Sequence, residues 1–491
     1  MIFRAISSSL HTGFTQGGQD GRMDSSQPPV IVTPAQRSFA IFLKIGGIIL
    51  LIALLHIPLA MTNGVLLDRQ GYQLRATEEI AGIWGRRQLV TGPVLAVPYA
   101  YRTNVIRSRV VNGRAVQVEE TELVGAMAYF LPEVLAVNGT VEPELRHRGI
   151  YDTVVYSSKL TLTGYFQPDF ATAGLEADHM DWDKARVLLG VSDLHGIRAV
   201  GPLKFGEGKE AAFETADGAA GTFLPLMAKT GGAAPGEKLA FTVEVALQGS
   251  ERLEIAPVGK ATSAALQSPW PHPSFMGSFL PVTRSVGPEG FKAEWQVSHF
   301  SRGFPQSWNS RIVKTEEMAG KIGAASFGVR FAQPVDGYSM AERAQKYGVL
   351  FFVLVFTVFF LFEITAALRI HPLQYTLVGA ALCLFFLGFL ALSEFWSTGW
   401  AYAAAAAGCT ALVSLYAWSF LKTGRRTLVI TGGLGATYGY LYFVLKSQDY
   451  ALVAGTAALF AALALVMACT RRINWYELGA PGTPNAGDGR G

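Results

Sequence analysis

Apolar residues in this chain are gathered into one run near its start and five near its end, and 284 residues lie between the first run and the second. Residues 41–62, IFLKIGGIILLIALLHIPLAMT, are long enough to cross a hydrocarbon core of about 30 Å as a helix. The run begins some forty residues in, and no small-x-small cleavage site follows it cleanly. It therefore reads as an uncleaved anchor and not as a signal peptide. The later runs cover 347–368, 373–396, 398–421, 427–446 and 449–469, with connections too short to hold a domain. The expected fold is an α+β membrane protein with six transmembrane helices, one plus five, around a large mainly-β insert at 63–346.

Orientation follows from basic residues near the span ends. Arg37 and Lys44 mark the start of the first span, and Arg369 joins the second and third. Lys422, Arg425 and Arg426 join the fourth and fifth, and Arg471 and Arg472 follow the sixth. The opposite turns are poor: Ser397 to Gly399 has no charge, and Lys446 is offset by Asp449. Both termini are thus expected in the cytoplasm and 63–346 in the periplasm of an inner membrane. By count, 63–346 holds 29 basic and 30 acidic residues, while the rest holds 12 and 7. Charged residues make up only 16% of the chain, and the net charge of +4 is dispersed, which sets aside both a single soluble globule and a nucleic-acid partner. The tails 1–40 and 470–491 are expected to be cytoplasmic, with 1–40 and the stretch after Leu478 disordered, and Met23 is an in-frame start candidate.

The insert reads as a β-sandwich. Asp152 to Tyr165, Leu239 to Leu247 and Gly290 to Phe300 alternate apolar and polar residues. Asn112-Gly113, Asn138-Gly139, Gly231-Gly232 and Pro288-Glu289-Gly290 signal turns. A division into two units near 216–236 is one option. Residues 71–85 have helical spacing and are expected to prolong the first span into a strand at Pro93 to Ala100.

No HExxH, GxSxG, Walker A or CxxC pattern occurs, and the three cysteines, 383, 409 and 469, lie in apolar runs. No cofactor is called for. The cluster Asp178-His179-Met180-Asp181-Trp182-Asp183 reads as a solvated loop or, less economically, a cation site. Carboxylates within spans carry more information, because a charge at bilayer depth costs on the order of 3 kcal/mol. Glu363 lies near the cytoplasmic end of the second span and Glu394 near the outer end of the third. Either they sense protons or cations, or they pair at the interfaces; a membrane's width apart, they cannot share one proton site. His56 reads as a packed residue. Gly432, Gly433, Gly435 and Gly439 in the fifth span read as a close helix contact.

Residues 268–281, SPWPHPSFMGSFLP, hold four prolines, which excludes a central strand and points to an extended loop displaying Trp270, His272 and Phe275. This stretch, with Arg284-Ser-Val286 and Gly290-Phe-Lys-Ala-Glu-Trp295, resembles the inner membrane protein CreD family. So do Arg343-Ala-Gln-Lys-Tyr347, Phe362-Glu363, Arg369-Ile-His-Pro-Leu-Gln-Tyr375-Thr-Leu-Val-Gly379, Leu390-Ala-Leu-Ser-Glu394 and Asn474-Trp475-Tyr476. The resemblance implies a bacterial inner-membrane protein linked to cell-envelope integrity and envelope stress, with no established catalysis. It carries over Trp270, Pro271, His272, Pro273, Ser274, Phe275, Gly277 and Pro281 as a functional loop, and Arg369, His371, Pro372, Gln374 and Tyr375 as a cytoplasmic corner. The competing readings are a proline-rich structural corner and a helix start set by His-Pro.

The expected function is a non-enzymatic envelope factor, anchored in the lipid bilayer, whose exported domain binds a wall, lipid or protein partner, with a stacking or apolar ligand favoured. Transport or lipid handling through Glu363 and Glu394 is the alternative. An enzyme built on His272 and Ser274 comes third. Oligomeric state is left open.

Overall fold

The computed structural model describes residues 34–111, 114–168, 179–206, 208–216, 223–230, 236, 238–331, 337–365, 370–421, 423–447 and 451–471. A single helix, α1 (Pro34–Trp84), contains the first apolar run and continues beyond it. At 1.5 Å per residue its 51 residues extend about 76 Å, roughly twice what a bilayer core needs. The helix begins at Pro34, inside the tail expected to lack structure.

The β region opens with two long hairpins, β1 (Gln88–Val111) with β2 (Arg114–Phe130) and β3 (Val134–Arg148) with β4 (Tyr151–Phe166). There follow β5 (Arg186–Val191), β6 (Leu239–Ser250), β7 (Arg252–Ile255), β8 (Ala261–Ser268), β9 (Pro273–Gly277), β10 (Thr283–Gly287) and β11 (Gly290–Ser298). A short helix, α2 (Thr315–Ala324), precedes the last strand, β12 (Phe327–Phe331). One sheet of ten strands runs β5-β1-β7-β12-β9 along its main path, and a second of nine runs β10-β11-β8-β3-β4-β6. Both are mixed, since β1 pairs with β7, and β3 with β8, in parallel. Alternation explains the layering: along β11 the inward positions Phe291, Ala293, Trp295 and Val297 are buried while those between are exposed.

Val187 and Leu189 belong to the same buried cluster as Leu253 and Ile255, so the strands on either side of 216–236 share one core and the two-unit division is not found. The reason is topological. β1 lies between β5 and β7, and each sheet interleaves early and late strands. Asn138-Gly139 is not a turn but the middle of β3: a Cβ at Gly139 would stand 2.7 Å from a Leu266 methyl, so glycine there makes room for core leucines. Pro288-Glu289 does link two paired strands. Asn112-Gly113 and Gly231-Gly232 lie outside the described residues.

After the β region come α3 (Gly337–Lys346), α4 (Gly348–Thr365), α5 (Pro372–Ser393), α6 (Thr398–Leu421), α7 (Gly424–Lys446) and α8 (Ala451–Thr470). Among the described residues four helices are long and apolar enough to cross a membrane, or five if the pair Gly337–Lys346 and Gly348–Phe360, bent by 55°, forms one span. Val453–Ala468 is a shorter apolar helix. The core of the bundle is aromatic: Phe351, Phe385, Phe386 and Phe389 are buried with Tyr402 and Tyr438. Close approach uses glycines other than those expected. A Cβ at Gly379 would collide with the Leu55 side chain, and one at Gly348 would sit 2.7 Å from Leu59. Gly432, Gly435 and Gly439 have open space before them, and only Gly433 nears a neighbour, Val358.

The upper end of α1 is built into the β domain. Thr153 Oγ1 donates to Thr77 Oγ1 at 3.1 Å and Trp84 Nε1 donates to Tyr156 O at 3.3 Å. The guanidinium groups of Arg146 and Arg198 lie over the Trp84 ring at 4.6 and 5.8 Å. Helix, membrane bundle and sandwich are thus joined through one rigid strut.

Candidate functional site

Glu363 and Glu394 each meet this strut through a cation, at Lys44 and at Arg69. At the first, Glu363 near the end of α4 is buried and forms an ion pair with Lys44 of α1. Its second oxygen accepts from Tyr375 OH at 2.9 Å, and Ile370 N donates to the first at 3.2 Å. Lys44 also donates to Ile370 O at 3.0 Å and lies 5.6 Å from the Tyr375 ring centroid. Every charged atom in the group therefore has a partner, which is what burial in hydrocarbon demands. The local sequence supplies the frame. His371 caps α5 by accepting from Leu373 N at 3.2 Å, its own N–H donates to Gln374 Oε1 at 2.9 Å, and Pro372 occupies the first turn. His371, Pro372 and Gln374 thus set a helix start that positions Tyr375; Arg369 lies outside the described residues.

At the second, Arg69 of α1 reaches Glu394, which closes α5, at 3.4 Å. Tyr338 OH of α3 donates to the same oxygen at 3.2 Å. Tyr151, at the tip of the β3–β4 hairpin, hydrogen-bonds Arg69 and stands 6.4 Å from the Tyr338 ring. This group ties the bundle, the strut and the β domain together in one place. Sequence reasoning singled out Glu363, Glu394 and Tyr375 but missed Lys44, Arg69, Tyr338 and Tyr151 as their partners. One signal was available: Lys44 sits inside an apolar run, and an intramembrane cation calls for a carboxylate at matching depth.

The proline-rich stretch is placed differently from expectation. Pro273 to Gly277 form β9, the edge strand of the first sheet, where a missing N–H is tolerated. Phe275 is not displayed; it turns inward, with ring centroids 5.7 Å from Phe291 and 5.8 Å from Trp295. Trp270 is half-buried against the same core. Gly277 has φ +96°, and a Cβ there would press on Phe327 Cα at 2.6 Å. His272 and Ser274 are exposed, while Pro271 and Pro281 are half-buried. What adjoins this stretch is an open groove of about 700 Å³, lined by Thr140, Glu142, Gln267, Ser268, Pro269 and Lys292 among others. The groove crosses β3, β8 and β11 of the second sheet, so rigid backbone holds its side chains.

At the opposite end of β8 from the groove, the loop 256–259 is clamped by Arg302, which is buried and donates through Nη1 to Pro257 O at 2.8 Å and Gly259 O at 3.1 Å. Burial pushes this guanidinium down to about 10. His56 is exposed on α1 and not packed as expected. Asp178 and the side chain of His179 lie outside the described residues, and Asp181 is engaged by Lys184 at 2.5 Å. Among the described residues no three His, Cys, Asp or Glu side chains are grouped to hold a metal ion.

The chain has relatives among known proteins. The family described as Inner membrane protein CreD matches residues 40–476. Inner membrane protein CreD of Escherichia coli (strain K12) is 32% identical over 447 residues, covering 90% of this chain and 95% of that one. The match takes in the strut, the β domain and the bundle alike, and the chain belongs to the inner membrane protein CreD family.

Proposed function

We propose that the protein is a non-enzymatic cell-envelope integrity factor of the bacterial inner membrane, acting under envelope stress. In this reading six helices cross the membrane, both termini are cytoplasmic, and 63–346 is periplasmic. The β domain binds an envelope component in the groove beside Pro269. The observation that carries the binding reading is that Thr140, Glu142, Gln267 and Lys292 line one concavity and that their side chains make no hydrogen bond or ion pair among the described residues. Hydroxyl, amide, ammonium and carboxylate groups together fit a hydroxyl- and amide-bearing glycan better than the stacking ligand that exposed aromatics would have favoured. The strut offers a path by which occupancy reaches the bundle.

Transport through Glu363 and Glu394 has no such support. Each carboxylate is held by a cation and a tyrosine hydroxyl, at separate positions along α1. The binding reading is tested by incubating full-length protein in lipid nanodiscs with peptidoglycan, lipopolysaccharide and envelope-protein fractions. Retention by a glycan fraction, reduced at least fivefold in Gln267→Ala/Lys292→Ala, is the expected result. Equal retention of the variant removes the groove, and retention by no fraction removes the binding function.

A further inference from the structure

We propose that the cleft between α1 and the tip of the β3–β4 hairpin holds the phosphate of a lipid headgroup in the leaflet facing the β domain. The cleft encloses about 920 Å³ and is lined by Arg69, Arg75, Arg148, Tyr72 and Tyr151, with Asp68 and Glu79. Two observations support this occupant.

The first is depth. From Lys44 to Arg69 is about 37 Å along the helix, between the ~30 Å hydrocarbon core and the ~40–45 Å full bilayer. Arg69 pairs with Glu394, and the next residues along the chain include Phe395, Trp396 and Trp400, which are 74%, 53% and 75% exposed. Exposed aromatics at a helix turn are the usual mark of the headgroup layer. The cleft therefore opens at lipid phosphate level.

The second is chemistry. Arg75 has no carboxylate partner among the described residues; its guanidinium is folded back onto Gly71 O at 3.3 Å and the Tyr72 ring at 4.7 Å. Arg148 pairs with Glu79 at 2.5 Å, but both side chains are more than half exposed, so that pair is weak and open to exchange. Guanidinium forks match phosphate oxygens in pairs.

The test is a calorimetric titration of full-length protein in neutral detergent with dihexanoyl phosphatidylglycerol, alongside inorganic phosphate. Saturable binding of the lipid, at least tenfold weaker in Arg75→Ala/Arg148→Ala and unchanged in Arg146→Ala, is expected. Thermal unfolding of the variants alongside confirms that these exposed substitutions leave the fold intact. Affinity unchanged in the double variant overturns the proposal. So does an equal loss in Arg146→Ala, which signals diffuse charge attraction, or inorganic phosphate binding as tightly as the lipid.

Discussion

The Lys44 and Arg69 junctions of α1 are built from the same parts, a cation of the strut, a glutamate and a tyrosine, yet differ in how far water reaches the cation. At the Lys44 pair the side chains of cation and carboxylate are 26% and 11% exposed, and a backbone N–H completes the carboxylate's shell. At the Arg69 pair the carboxylate is just as buried, at 9% exposed, but the cation is 44% exposed and its other contact is Tyr151 of the β domain. The first is a sealed fastening between α1, α4 and α5. The second is a joint, wet on one side, where an outer domain meets a bundle. Similar residues thus serve different mechanical purposes, and what separates them is solvent access to the cation.

The largest expected effect falls on the sealed junction. Glu363→Ala leaves Lys44 charged in an apolar setting and should cost about 3–5 kcal/mol, read by chemical unfolding in mixed micelles. Lys44→Leu/Glu363→Leu should recover most of it, because no charge is then stranded. A smaller loss, on the order of 2 kcal/mol, is expected for Arg69→Ala, and about half of it should vanish in high salt because this pair is partly solvated. Equal costs and equal salt dependence at the two junctions would erase the distinction between them.

A third substitution tests the top of the strut. Asp193 accepts from Arg86 N at 2.7 Å and His195 N at 3.1 Å, where α1 turns into β1. Burial acts to raise this carboxyl, but the N–H donors and His195 outweigh it and hold it below the ordinary carboxylate value. A folded value below the unfolded one means the contribution is complete above about pH 4 and is lost as pH falls through the folded value. Asp193→Asn should therefore cost about 1.5 kcal/mol at pH 7 and nothing at the acid end of the titration. The smallest effect belongs to Arg148→Ala, under about 0.5 kcal/mol, since its partner Glu79 is as exposed as it is.

Much of the scaffold could be read from local pattern. Uninterrupted apolar runs located α5 to α7 to within a few residues and the middle of α1 but not its ends, and period-two alternation located β4, β6 and β11. What escaped depended on distance in sequence. Lys44 and Glu363 are 319 residues apart, and no local rule joins them. The stripe Gly435 to Gly439 has the spacing of a helix contact but faces open space, whereas Gly379 and Gly348, without that spacing, meet Leu55 and Leu59. Spacing reports which residues share a face, not which face is covered. Phe275 misled for a related reason: prolines fix the backbone of 269–273, but the edge of a sheet decided that the ring points inward.

Everything rests on the side of the membrane that the sandwich occupies. Gln267→Cys, in a background with Cys383, Cys409 and Cys469 replaced, puts one thiol on the exposed groove. An impermeant maleimide added to spheroplasts with sealed membranes should modify it at once. Modification only after detergent would place the domain in the cytosol and contradict the account.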